Sequence, residues 1–434
     1  MSHQPHNPPP KADGRKKPVH KHLHHHARNF GRHFTKYLYE RDTVFATVWV
    51  FIFIVALGSI PLNLGVLNPI KLGLKDFDFN DMSYSKLGKA GNTPLDSNVV
   101  IVNIGQADRE GIAALIDKTA SYGPKVMGLD VMFEGPRDPY KDSLLRATVN
   151  RNRNLVLAVK FQTDSSGRLI TTGNHFKTDS TLTGYVNFPY EEKETVRTYN
   201  AFRKDDTEPA ALLPAFTSTL LQQYRPEVYE NVRKKGDKKI IINYSRRVTQ
   251  EKKQYLVFEG EDLLTDNVDG SSLQGKIVLL AYVNTNPNDI EDKKFTPMNE
   301  KFAGKSTPDM NGIIVHANIL SMALEGNYVK KVSLWINLLI AIVVCWLHMS
   351  FFVRYYLESH IWFHLVAKIA QVASAIFFVW LGIYLFDQYR LKVDLKLSLI
   401  TIVMAVDVIY FYEAWAVWMH KKFHYKTVFK PHHH

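Results

Sequence analysis

Hydrophobic and polar positions divide this chain into four long apolar runs and one mixed segment lying between the first and the second. The runs fall at about Val44–Ile60, Val332–Val353, Ile361–Phe386 and Leu395–Met419. Each is long enough to cross about 30 Å of hydrocarbon at about 1.5 Å per helical residue, so 44–60, 332–353, 361–386 and 395–419 are predicted transmembrane helices. Ala56-Leu57-Gly58 would also fit the end of a cleaved signal peptide. The 43-residue leader is long for the charged part of such a signal, which favours an uncleaved anchor.

The segment 61–331 has its own order. Residues 61–97 mix Gly, Asn, Asp and Lys with Leu and Phe and read as a loop-rich lead-in. A strand at Val99–Ile104, a helix at Glu110–Tyr122, a strand at Lys125–Phe133, a helix at Asp142–Asn150 and a strand at Leu155–Phe161 follow. The strands are apolar almost throughout, which suits a parallel sheet covered on both faces. This β-α-β-α-β order predicts a right-handed, mostly parallel sheet in a three-layer α/β domain. The polar middle, Gln162–Lys234, holds a short strand at Gly184–Phe188 and a helix at Ala210–Tyr224. Sheet signal resumes at Lys239–Tyr244 and Lys276–Val283. A loop, Asn284–Asn311, then leads to a helix in which Ile313, Ile314, Ala317, Leu320 and Leu324 recur at helical spacing. Gly326-Asn327 is its stop signal, and Lys330-Lys331 stands directly before the second apolar run.

Charge sets the orientation. Of the net charge of +12, most lies beside the spans: residues 1–43 carry nine Lys/Arg against three acidic residues, and the tail 420–434 adds Lys421, Lys422, Lys426 and Lys430. Basic flanks at both ends predict cytoplasmic N- and C-termini, with 61–331 on the far side of the membrane. Cations so placed suit anionic lipid headgroups rather than nucleic acid. Residues 1–29 have few core-forming side chains and are expected to be disordered. Between Arg28 and Arg41, Phe30, Phe34, Tyr37 and Leu38 share a face among cations, as in an interfacial helix. The tract His20, His22, His24, His25, His26 lacks a carboxylate or thiol to complete a defined metal geometry, so no metal or other cofactor is expected. Cys345, the single cysteine, falls inside the second span and reads as a small packing residue. No G-x-S-x-G, H-E-x-x-H, Walker lysine or glycine-rich dinucleotide turn is present, and no enzymatic activity is expected.

Five stretches carry a resemblance: VVIVNIGQAD at 99–108, GPKVMGLDVMFEGP at 123–136, GKIVLLAYV at 275–283, EDKKFTP at 291–297 and GIIVHANIL at 312–320. In this order, followed by three spans, they make Asn98–Lys331 resemble the CHASE domain, type 2 (cyclases/histidine-kinases-associated sensory extracellular). The resemblance implies a bacterial periplasmic sensory module, with one span before the domain and three after it, usually wired to a cyclase, kinase or phosphatase domain. Here about fifteen residues follow the fourth span, so any output is expected from another polypeptide or from the cytoplasmic ends themselves. The strand-end position that is often Asp in relatives is Asn103.

Candidate site residues follow from two considerations. Asp108, Arg109, Asp130 and Glu134 stand after the ends of the first two strands, where open α/β sheets gather ligands. They read as a small-molecule or cation site, or, for Asp130, as a loop cap. Asp292, Thr296, Pro297 and His316 carry the family's loop and helix-start marks, for anion binding or for pinning the loop. His316 reads as a structural hydrogen-bonding group, with metal ligation or proton sensing as alternatives. In the spans, Lys368, Asp407 and Glu413 form an intramembrane charge cluster in which Lys368 is expected to pair with one of the two carboxylates, unless partner helices supply the mates or the side chains snorkel. The combined reading is a bacterial inner-membrane sensory or regulatory subunit whose periplasmic domain binds a ligand or envelope partner and couples through a four-helix bundle to a separate membrane protein. Its alternative is an accessory subunit of an inner-membrane complex, with the domain as a docking platform. A homo-oligomer is open under both.

Overall fold

The computed structural model describes residues 36–59, 78–84, 93–188, 194–204, 212–299, 307–358 and 360–429. The leader through residue 35 with its His tract, most of the lead-in after Pro61 and the final histidines lie outside the described residues. The helices are α1 (Arg41–Ser59), α2 (Arg109–Ser121), α3 (Pro139–Arg151), α4 (Phe216–Tyr224), α5 (Pro226–Arg233), α6 (Gly260–Leu264), α7 (Gly312–Glu325), α8 (Leu334–Glu358), α9 (His360–Tyr389) and α10 (Lys396–Phe423). The chain divides into two compact units. One comprises residues 1–62, 333–379 and 394–434; the other comprises 63–332 and 380–393.

The second unit is a mixed α/β structure around a mostly parallel sheet. Its strands are β1 (Val99–Asn103), β2 (Val126–Leu129), β3 (Leu155–Thr163), β4 (Leu169–Thr172), β5 (Leu182–Tyr185), β6 (Leu256–Glu259) and β7 (Ile277–Ala281). They lie in the order β6-β1-β7-β2-β3-β4, with β5 also on β3; only β4 runs antiparallel. Alternation along each strand feeds two cores. Val100, Val102, Met127, Leu129, Val278 and Leu280 face α2 and α3, whereas Val99, Ile101, Val126, Ile277 and Leu279 face α4 and α7. Each fully buried aliphatic contributes about 1.5–3 kcal/mol relative to exposure. Close approach of α4 requires glycine in the sheet: a Cβ at Gly128 would lie 2.6 Å from the Phe216 ring, and one at Gly184 2.4 Å from the Phe216 Cα.

Several elements depart from the sequence expectation for local reasons. The helix expected over Ala210–Tyr224 begins only at Phe216, because Leu213 precedes Pro214 and is pushed out of the helical region; Leu212–Pro214 is extended instead. The second strand stops at Leu129, four residues before Phe133, as its pairing with β7 ends at Leu280. Lys239–Ile241 pairs with Thr198–Asn200 outside the main sheet, and the main sheet takes β6 as its edge. α7 ends on Gly326 in the left-handed conformation, which only a residue without a Cβ adopts cheaply. Beyond it Lys330–Lys331 pairs in parallel with Leu391–Lys392, which follow α9. Lys392 also forms an ion pair with Asp78; burial works against that carboxylate, but the lysine holds it down at about 2.

Four helices of the chain are long and apolar enough to cross a membrane: Arg41–Ser59, Leu334–Glu358 and Lys396–Phe423, which lie in the other unit, and Ile361–Tyr389, which belongs to it up to residue 379. Ala46, Val50, Cys345, Met349, Phe352, Ala405, Ile409 and Tyr412 pack α1, α8 and α10 together. Polar ties are few and specific. Gln371 donates to the carbonyls of Ile402 and Val403 at 2.9 Å each, and His348 Nε2 meets Ser374 Oγ at 2.8 Å. Asp42, 1% exposed at the start of α1, accepts from Tyr412 (2.7 Å), Tyr425 (3.1 Å), Thr427 (2.9 Å) and the Val428 amide (2.6 Å). The chain after α10 is thereby folded back onto the first helix.

Candidate functional site

Because β1, β2, β3 and β7 run parallel, their carboxyl ends lie on one edge of the sheet, where loops diverge and leave room. A cleft of about 500 Å³ opens there. Ile104, Asp130, Lys160 and Tyr282 reach it from the four strand ends. Asp292, Lys294 and Phe295 reach it from the loop before α7, and Gly312 and His316 from the first turns of that helix. The wall between them is apolar, from Val131, Met132, Val186, Phe188 and Val196.

Asp130 donates its amide to Leu280 as β2 ends, which fixes its side chain at the cleft. Burial, and then the neighbouring Asp292 charge, push its carboxyl up to about 7. Asp292 has a left-handed backbone, φ 55°, and accepts the Gly312 amide at 3.0 Å through its carbonyl. Its carboxylate oxygens lie 3.5 and 3.6 Å from where a Gly312 Cβ would stand, beside the start of α7. The surrounding protein raises its carboxyl too, against the pull of Lys294, although its surface remains exposed at the cleft mouth. His316 is 4% exposed and stacks on Phe188, ring centroids 4.8 Å apart. Burial holds its pKa down at about 3, so the imidazole is neutral. It hydrogen-bonds the Val186 backbone, and its Nδ1 has no partner.

Of the residues singled out from sequence, Asp130, Asp292 and His316 come together in this cleft. The others do not. Asp108 caps α2 through the Gly111 amide (3.0 Å) and pairs with Lys141. Arg109 is buried, pairs with Asp142, donates to the Gly135 carbonyl at 2.5 Å and lies over Phe133 and Phe176; it ties α2 to α3. Glu134 is exposed, five residues past the end of β2. Thr296 is pinned by Asp309, its amide at 2.8 Å and its hydroxyl at 2.5 Å, and burial raises that carboxyl to about 7. Among the described residues no ion pair joins Lys368 to Asp407 or Glu413. Lys368 and Asp407 are exposed on their helices, and Glu413 instead accepts from the Tyr356 hydroxyl.

Sequence reasoning missed Lys160 and Lys294. Lys160 could have been noticed as the cation that interrupts the apolar run of β3. It also missed two buried polar staples. Asn103 donates to Glu259 at 2.6 Å and accepts from the Gly105 and Val283 amides, so its amide joins three strand ends as a carboxylate could not. Asn318, fully buried in α7, accepts from the Ser245 and Arg246 amides and donates to the Arg246 and Ile314 carbonyls. Arg246 in turn bridges Asp96 (3.3 Å) and Glu325 (2.7 Å), while Ser321 bonds Asp96 and Tyr255.

The family model for the CHASE2 domain matches residues 49–351, well over half of the chain. The chain belongs to this family of extracellular sensory domains. No curated protein and no solved structure matches it.

Proposed function

We propose that this chain is a bacterial inner-membrane sensor: a periplasmic three-layer α/β domain binds a small ligand in the strand-end cleft and passes its state to a separate membrane protein. The observation that carries the reading is the cleft itself, at the carboxyl edge of a parallel sheet, where neutral His316 and two raised carboxyls meet an apolar wall. Termini on the cytoplasmic side are supported by the basic flanks of the spans. A route out of the cleft is supported by α7, about 21 Å long at 1.5 Å per residue, which starts at the cleft and ends at Gly326 shortly before the Lys330–Lys331 and Leu391–Lys392 pair. Lys368 and Asp407 favour a partner helix, since unpaired charges in hydrocarbon are costly.

Amide hydrogen exchange on the detergent-solubilised full chain tests the reading. Adding a small-molecule extract of the cell envelope should slow exchange around Asp130 and Asp292–His316 and also change it at 326–332 and 388–393. Two glycines inserted between Asn327 and Lys330 should keep the first effect and abolish the second. Protection confined to the cleft would overturn the signalling route, and no protection anywhere would favour a docking platform without a small ligand.

A further inference from the structure

The cleft holds charges of both signs on separate elements. Asp130 ends β2, Lys160 lies on β3, and Asp292 and Lys294 flank Lys293, whose own amine turns away to the Asn286 carbonyl. Glu194 also lines the cleft. The start of α7, a natural seat for an anion, is already occupied by the protein's own Asp292 carboxylate. A purely anionic ligand would therefore meet two carboxylates there. Asp130 and Asp292 are two carboxyls lining one cleft together with His316, and a primary ammonium offers them up to three N–H groups. The lysines can take a carboxylate at the same time, and Val131, Met132, Val186, Phe188 and Val196 leave an apolar space for the remainder.

We propose that the cleft takes a small zwitterion of the α-amino acid class with an apolar side chain, its ammonium on Asp130 and Asp292 and its carboxylate on Lys160 and Lys294. This rests on the ligand-binding reading above and names the chemistry of the ligand. Its specificity follows from leaving the carboxyls or the lysines of the cleft without a ligand partner when half of the zwitterion is missing.

The test uses the detergent-solubilised full chain, thermal melting and calorimetric titration. The probes are L-valine, L-leucine and L-phenylalanine, with two cut-down forms of leucine: 3-methylbutylamine, without the carboxylate, and 4-methylpentanoate, without the amine. At least one amino acid should raise the melting temperature, and each half-ligand should bind at least about tenfold more weakly than leucine, a loss of roughly 1.4 kcal/mol or more. Asp130→Asn should weaken leucine and the amine but spare the acid, and Lys294→Met should do the reverse. Asp130→Asn removes a carboxyl that burial disfavours, so it is expected to fold. An amine as strong as leucine would make this a cation site, and an acid as strong as leucine an anion site; both overturn the proposal. If none of the probes binds while the envelope extract still protects the cleft, the zwitterion falls and the sensor reading stands. If neither acts, both fall.

Discussion

The two halves of α7 are one continuous helix, and their polar groups are satisfied to opposite degrees. In the part from Asn318 to Glu325, Asn318 uses all four of its hydrogen-bonding positions, Ser321 bridges Asp96 and Tyr255, and Arg246 joins Asp96 to Glu325. In the part before it, His316 leaves a buried nitrogen unpartnered, in a cleft with Asp130 and Asp292, two carboxyls that burial raises. Buried polar groups are ordinarily paired. The saturated half therefore fixes the helix on the sheet, and the unsaturated half is where something from outside can change the energy. Both depend on side chains that the family's His-Ala-Asn mark places two residues apart.

The largest effect expected from breaking this contrast is at Arg246. Arg246→Met leaves the enclosed Asp96 without its guanidinium partner, and loss of one partner from a buried pair costs about 3–5 kcal/mol. Denaturant melts of the full chain measure it, and a loss below about 1 kcal/mol would mean the clamp is not what anchors the helix.

The next effect is pH dependence. Asp130 and Asp309, held up at about 7, and Asp81, held up at about 6 by burial against its Arg197 partner, bind protons more tightly folded than unfolded. Their contribution to stability is complete below the ordinary carboxylate range and is lost as pH rises through about 6 to 7. The melting temperature should therefore fall between pH 5 and pH 8, and Asp130→Asn should make the fall shallower. A rise over that interval would contradict the burial of these groups.

The smallest effect is at His316. Its Nδ1 has nothing to lose, so His316→Phe should cost only the Val186 hydrogen bond, about 0.5–1.5 kcal/mol. A loss matching that of Arg246→Met would erase the difference between the two halves.

Hydrophobic patterning revealed most of the sheet, because β1, β2, β3 and β7 are central and apolar on both faces. It missed β6, whose side chains are half-buried at an edge, and misplaced Lys239–Ile241, whose apolar residues pack away from the main ladder. At the site, strand-end reasoning found Asp130, and the family marks found Asp292 and His316. The same reasoning also picked out Asp108, Arg109 and Glu134, because it gives the edge of the sheet but not which way each loop leaves it. Asp108 and Arg109 are drawn onto α3 by Lys141 and Asp142, pairings between residues 33 positions apart that no local pattern displays. The contacts of Lys368, Asp407 and Glu413 were likewise beyond a depth argument, which gives height along a helix but not the face.

The enclosure of Asp42 bears on the order in which the chain is made. The first apolar helix is synthesised early, yet the hydroxyls and amide that neutralise the demand of its leading carboxylate belong to Tyr412, Tyr425, Thr427 and Val428, more than 350 residues later. Until translation reaches that stretch, the helix carries an acceptor with none of its final donors.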